Sequence, residues 1–341
     1  MSRPSTEGAD GTQRIASRKR LRNRWRCWGA GAVLLVPCIE LAMHLHVQRG
    51  VVRPSDWSAA TAYVRARFRA GDLVVTTPSW ADPIARWQLG DLSTLSAAGR
   101  SDDRDHDRIW VLGAYHAPAP REISRSHTLT SHRAMGRVQV QRWERSAGAH
   151  RPHVLYDFVD KIAQARAYLG EPGRGKECAW RSASQDGTGG GGGGLSAGPY
   201  TPANRFVCDE QRGWLWVGAT MLEDLQLQPR WCVWQHPAQP QEGPVVTEFS
   251  DVPLGRTLVL HAGLYYEHER SREGGPVTVE VWVNDRKLGQ LQHRDGDGWA
   301  RQELPTPHET WTSEGRARVQ VRVHAPDPHL RTLCWAMKAV R

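Results

Sequence analysis

The chain reads as an α+β multidomain protein: one N-terminal transmembrane helix, a small α/β (Rossmann-like) unit, and a C-terminal jelly-roll-type β-sandwich. Three observations predict this. An apolar stretch, Cys27 to Val47, follows a dense run of basic residues. Helix-period and strand-type patterns then alternate between residues 54 and 150. From about Gly213 onward, short alternating strands recur with turn residues between them. The implied boundaries are a basic cytoplasmic tail (1–26), a signal anchor (27–47), an α/β domain (54–150), a helix plus Gly-rich flexible insert (151–199) and the sandwich (200–341).

The flanks of the apolar stretch give its direction. Residues 1–26 hold eight Lys or Arg against Glu7 and Asp10, so six of the chain's nine net positive charges lie there. The basic character is therefore local, and no nucleic-acid partner is expected. Basic residues ahead of an apolar segment hold that side in the cytoplasm, which predicts a single pass of the cytoplasmic membrane with the bulk of the chain periplasmic. Glu40, His44 and His46 interrupt the stretch, and Pro37 before Cys38 fits a lipoprotein cleavage box poorly. With no small-residue cleavage site either, an uncleaved anchor is preferred to a cleaved signal peptide.

In the α/β unit, Pro54-Ser55-Asp56 starts a helix whose apolar residues Trp57, Ala60, Val64 and Phe68 recur at helical spacing. Gly71 ends it, and Asp72 to Thr77 is a buried-type strand. Asp82-Pro83 opens a second helix carrying Ile84 and Trp87. Ile109 to Gly113 and Arg137 to Trp143 are two further strands. Ligands of α/β sheets gather beyond the strands' carboxyl ends. Here those loops hold Thr77, Ser79, Trp80 and Asp82, then Tyr115 and His116. An aromatic face beside an acid and hydroxyls suits a sugar; the plainer reading is that Trp80 and Trp87 pack their helix onto the sheet.

The stretch SDWSAATAYVRARFRAGDLVVTTPSWADPIARWQLGD (55–91) resembles the soluble segment after the last membrane helix of bacterial relatives of protein O-mannosyltransferases and aminoarabinose lipid A transferases. The shared features are the Asp-Trp start, the Gly-Asp before an apolar strand and the Trp-Ala-Asp-Pro turn. The resemblance implies a setting among polyprenyl-phosphate-sugar glycosyltransferases. Those enzymes carry their catalytic acid in a loop within a many-span bundle, and this chain has one predicted span, so no catalytic residue carries over.

His153 to Leu169 reads as an amphipathic helix with Leu155, Phe158, Ile162, Ala165 and Leu169 on one stripe. A low-complexity insert, Ser182 to Gly198, follows. Strands are expected at Trp214–Val217, Trp231–Trp234, Val245–Phe249, Thr257–His261, Val277–Val283, Trp299–Leu304, Ala317–Val323 and Leu333–Val340. This spacing indicates a two-sheet sandwich, similar at fold level to galactose-binding-like domains. Outside the anchor the cysteines are Cys178, Cys208, Cys232 and Cys334, and no CxxC occurs. We prefer the pairing 178–208, which ties off the insert, with 232–334, since first and last strands of such folds often neighbour each other.

Sharper motifs carry less. Gly194 to Gly198 matches GxSxG but sits in a glycine tract rather than a strand–turn–helix. Asp102 to Asp107 contains DxD pairs, yet interleaved Arg104 and Arg108 favour a solvated loop. Asp295 and Asp297 resemble the start of a calcium loop, but Thr306 stands where the closing Glu belongs, so no metal is assigned. Tyr265, Tyr266, Glu267, His268 and Trp299 form a second candidate ligand platform. The function expected is a membrane-anchored, non-catalytic envelope module that binds glycan or polyprenyl-linked sugar, or assists a glycan-assembly protein, without a cofactor. The alternatives are a glycosyl-transferring or hydrolysing enzyme using Asp82, Glu267 or Glu269, and a structural protein-binding tether.

Overall fold

The computed structural model describes residues 35–48, 50–182, 201–306 and 315–341. It forms two compact units, Met1–Arg53 and Pro54–Arg341. In the first, residues 35–48 are helical (α1), with Leu35, Ile39, Met43 and Val47 exposed. Among the described residues no helix is long and apolar enough to cross a membrane. The basic tail and residues 27–34 of the expected anchor lie outside the described residues, as do most of the Gly-rich insert and its GxSxG match.

The second unit opens with α2 (Pro54–Arg65), whose buried Trp57, Ala60, Thr61 and Val64 follow the helical spacing. Gly71, at φ +91°, makes the turn into β1 (Leu73–Thr77), a strand buried along its whole length. β1 lies parallel to β2 (Arg108–Gly113), with Leu73 opposite Ile109. The rest of this sheet is antiparallel: β3 (His127–Met135) and β4 (Val138–Arg145) complete the order β1-β2-β4-β3. A parallel arrangement therefore extends over one pair of strands only. Leu73, Val75, Ile109, Val111 and Ile123 form its core. Beneath them the buried Asp72 carboxylate accepts from Arg108 at 2.6 Å and from the Trp110 indole at 2.8 Å, so the burial of its charge is matched by a partner charge and hydrogen bonds. A second helix, α3 (Asp82–Leu89), buries Ala85 and Leu89; α4 (Leu95–Ala98) and α5 (Arg121–Ser126) are shorter.

The remainder is a β-sandwich. One sheet runs β16-β13-β18-β11-β10-β9-β8, with β5 also on β18; the other runs β15-β14-β17-β12-β6-β7. The first contains β5 (Val154–Asp157), β8 (Ala179–Arg181), β9 (Arg205–Val207), β10 (Trp216–Glu223), β11 (Pro229–Gln235), β13 (Thr257–Leu264), β16 (Ala300–Pro305) and β18 (Leu333–Val340). The second contains β6 (Arg166–Leu169), β7 (Lys176–Glu177), β12 (Val245–Pro253), β14 (Val277–Val283), β15 (Arg286–His293) and β17 (Arg316–His324). In β14 buried and half-buried residues alternate, as its VTVEVWV sequence requires. Phe249, Leu258, Val279, Val319 and Trp335 join both sheets in one apolar core.

The segment expected as a helix from His153 to Leu169 is instead β5, a 3-10 turn (Ile162–Gln164) and β6. Strand-forming Val, Tyr and Phe residues prevail there because each half finds a ladder to join: β5 on β18 in one sheet and β6 on β12 in the other. The single tight turn between them gives the apolar residues their helix-like spacing. The sandwich accordingly begins at Val154, not at residue 200. Both disulfides follow the preferred pairing, Cys178–Cys208 and Cys232–Cys334. The second bridges β11 and β18, which are hydrogen-bonded neighbours.

Candidate functional site

Where β1 ends, the chain meets the sandwich. Thr77 donates to the carbonyl of Pro118 at 2.9 Å, and Ser79 donates to the carbonyl of Gln226 at 2.5 Å, a residue in the β10–β11 turn. Between these walls opens a cleft of about 400 Å³ lined by residues from both layers, among them Thr77, Ser79, Glu122, Gln228, Asp297 and Trp299. Its volume falls in the range of small-molecule sites.

The floor comes from a stretch that the sequence presents as a solvated loop. Asp102, Asp103 and Asp105 are instead engaged. Asp102 accepts from Arg301 at 2.8 Å and lies 3.5 Å from His261; Asp105 accepts from Lys338 at 2.6 Å; Asp103 accepts from Arg100 at 2.5 Å. The Trp299 indole donates to the carbonyl of Ser101 at 3.0 Å. The Asp-rich segment thus fastens the α/β layer to β13, β16 and β18. Burial opposes the Asp102 charge, but His261, the Arg104 backbone N–H and Arg301 outweigh it and hold the carboxyl well below its ordinary range. Burial lowers the His261 pKa, only partly offset by Asp102. Trp299 stands parallel to His261, with Arg230 over its ring at 5.4 Å. Beneath it β13 carries Gly263, where a Cβ would come within 2.8 Å of the indole.

The arginines of the cleft are committed. Arg100 pairs with Asp103, Arg230 with Asp224 and Arg301 with Asp102. Among the described residues, Glu122 and Asp297 form no ion pair, and the Gln228 side-chain nitrogen is buried without a hydrogen-bond partner. The Glu122 carboxylate is thus free to accept and the Gln228 amide nitrogen free to donate, while Asp297 keeps one oxygen beyond its bond to the Arg294 N–H, a set suited to hydroxyls, which do both.

Next in sequence to the cleft-lining Ser79, Trp80 leans on Tyr115 with ring centroids 5.5 Å apart, and both are about half exposed (54% and 48%). Trp87 is 89% exposed, so the plainer reading, that Trp80 and Trp87 pack their helix onto the sheet, does not hold; Ala85 and Leu89 do that. Tyr115 and His116 adopt left-handed backbone conformations (φ 54° and 59°) in the loop that follows β2. Asp82 is ion-paired with Arg86 one helical turn on.

The second expected platform is divided. Trp299 lines the cleft, whereas Tyr265, Tyr266, Glu267 and His268 lie at α6 (Tyr266–Ser271) outside it. Tyr265 is buried, and desolvation followed by the Tyr266 hydroxyl raises its pKa. Glu269 is fully buried and accepts from the N–H groups of Gly296 and Gly298 at 3.1 and 2.6 Å; burial outweighs these bonds and raises its pKa. None of Asp82, Glu267 and Glu269 lines the cleft. Asp295 pairs with Arg331 at 2.6 Å and Asp297 caps the Arg294 N–H at 2.8 Å, in a turn that Gly296 and Gly298 close at positive φ. No group of three metal-ligating side chains occurs among the described residues. Sequence reading missed Glu122, Gln228 and the Asp102 joint; the interleaved Asp and Arg of 102–108 was the one signal available.

No protein-family model matches the chain, and no curated protein matches it. Among solved structures, the CBM51-2 and INT domains of Clostridium perfringens ZmpB, in complex with GlcNAc, match at a TM-score of 0.26 and 9% identity over 36% of this chain and 26% of that one. The CBM51 of a Clostridium perfringens GH95 enzyme, in complex with methyl-galactose, matches at 0.24 and 9% over 36% and 79%. The C-terminal extracellular domain of Mycobacterium tuberculosis EmbC matches at 0.19 and 12% over 53% and 66%. TM-scores this low carry no inference about ligand or descent.

Proposed function

We propose that the protein is a membrane-anchored, periplasmic glycan-binding module whose ligand lies in the cleft between β1 and the sandwich. The observation that carries this reading is the cleft itself: its free groups include the Glu122 carboxylate and the Gln228 amide, and its lining residue Ser79 directly precedes Trp80, half-exposed against Tyr115. Aromatic faces take the C–H surface of a sugar while acceptors take its hydroxyls. The two disulfides support an oxidising compartment, and the basic tail before the apolar stretch supports the anchor. The resemblance of 55–91 to glycosyltransferase segments supports a setting in envelope glycan assembly, with polyprenyl-linked sugar or an assembly protein as partner.

The test is calorimetric titration of the full-length chain with a panel of neutral envelope mono- and oligosaccharides. At least one should bind saturably, and Trp80→Ala should weaken it roughly tenfold, as loss of a stacking aromatic does. Absence of binding across the panel, or unchanged affinity in Trp80→Ala, refutes the proposal.

A further inference from the structure

A second cleft, of about 370 Å³, opens along the same junction and shares only Arg301 with the first. Its walls hold Arg104, Arg125, Arg145, Arg301 and His150, and Glu303 is its one carboxylate. Three of the four guanidiniums are held in place by the protein. Arg145 donates to Asp107 at 2.7 Å and to the carbonyls of Arg104 and His106 at 2.7 and 2.9 Å. Arg301 is fixed between Asp102 and Glu303, at 2.8 and 2.6 Å. Arg104 reaches Glu303 at 3.2 Å. Arg125 is exposed and makes no ion pair among the described residues.

Against four guanidiniums stand Asp102, Asp107 and Glu303, which leaves one positive charge over. Arg151 adds to it, close enough to act on Asp107. Crowding guanidiniums costs Coulomb energy unless an anion joins them. A carboxylate would be satisfied by one arginine fork, whereas the oxygens of a phosphoryl group accept from several directions, and Arg125 together with the N–H groups of Arg104, Arg145 and Arg301 left over from these bonds can supply them.

We infer that this arginine-lined cleft binds a phosphoryl group, carried by a soluble or sugar-linked phosphate or by a lipid headgroup. The inference stands independently of the glycan reading, since Trp80 and Tyr115 belong to neither its walls nor its charge balance.

The full-length chain is titrated calorimetrically with methyl phosphate and with pyrophosphate at fixed ionic strength, as wild type, Arg125→Gln and Trp80→Ala. Saturable binding that weakens roughly tenfold in Arg125→Gln and stays unchanged in Trp80→Ala supports the site. Exposed Arg125 has no partner to lose, so its variant folds; Arg125→Lys, which keeps charge without the fork, should recover only part of the affinity. No saturable binding of either anion, or equal affinity in Arg125→Gln, overturns the inference. Sedimentation with phosphatidylglycerol against phosphatidylcholine vesicles separates the sources. Arg125-dependent excess on the anionic vesicles assigns the lipid headgroup, and its absence alongside soluble-phosphate binding assigns the soluble or sugar-linked form.

Discussion

At the scale of single residues, burial governs how the protein answers to pH. His236 is 7% exposed against Trp214, and desolvation lowers its pKa to about 4. The unfolded chain takes up a proton there near pH 6.5, the folded chain only near pH 4. The contribution is therefore complete above pH 6.5 and drains away as the pH falls to 4, by about 3 kcal/mol in all. Urea titrations of wild type and His236→Gln should show their stability difference shrinking by that amount between pH 7 and pH 4. A difference that holds constant would contradict the assignment. Such a histidine is invisible in the sequence, where His236 is one of fifteen; what sets it apart is the wall of tryptophan around it.

Among the elements, legibility followed pattern strength. β14 lies at the expected Val277–Val283, because alternation over a half-buried surface has one solution, and β18 at the expected Leu333–Val340, a nearly continuous apolar run buried along most of its length. β3 passed unnoticed: it is an edge strand, HTLTSHRAM, largely exposed on both faces and so without an apolar period to read. The β5–β6 segment misled for the opposite reason, since two short strands around a tight turn reproduce a helical stripe. Phe158 anchors the turn between them. It is fully buried, edge-on to Tyr156 and Phe249 with centroids 4.9 Å from each. Phe158→Ala should cost about 3–5 kcal/mol in a chemical unfolding curve, the loss expected of a core aromatic. A loss under about 1 kcal/mol would contradict the burial of this ring.

For the molecule as a whole, the α/β layer and the sandwich are joined largely through charge. The Asp102–Arg301, Asp105–Lys338 and Arg104–Glu303 pairs cross the junction, together with the hydrogen bond from the Trp231 N–H to the carbonyl of Gly99 at 2.6 Å. The interleaved Asp and Arg of 102–108 mark one side of this joint but not its partners, which lie some two hundred residues away and meet it only after both layers have folded. Asp102→Ala leaves Arg301 only the more exposed Glu303 as partner and should destabilise by about 2 kcal/mol, discounted from a fully buried pair because Glu303 and solvent still serve the guanidinium. Differential scanning calorimetry should register it as a lower or split transition, while an unshifted one would show that the junction rests on its neutral contacts.

Arg301 gives this junction a practical twist. Its guanidinium is a party wall, with one proposed chamber on each side. Any change at that position disturbs both rooms, so a defect in an Arg301 variant names neither tenant, and only residues confined to a single room can say which ligand lives where.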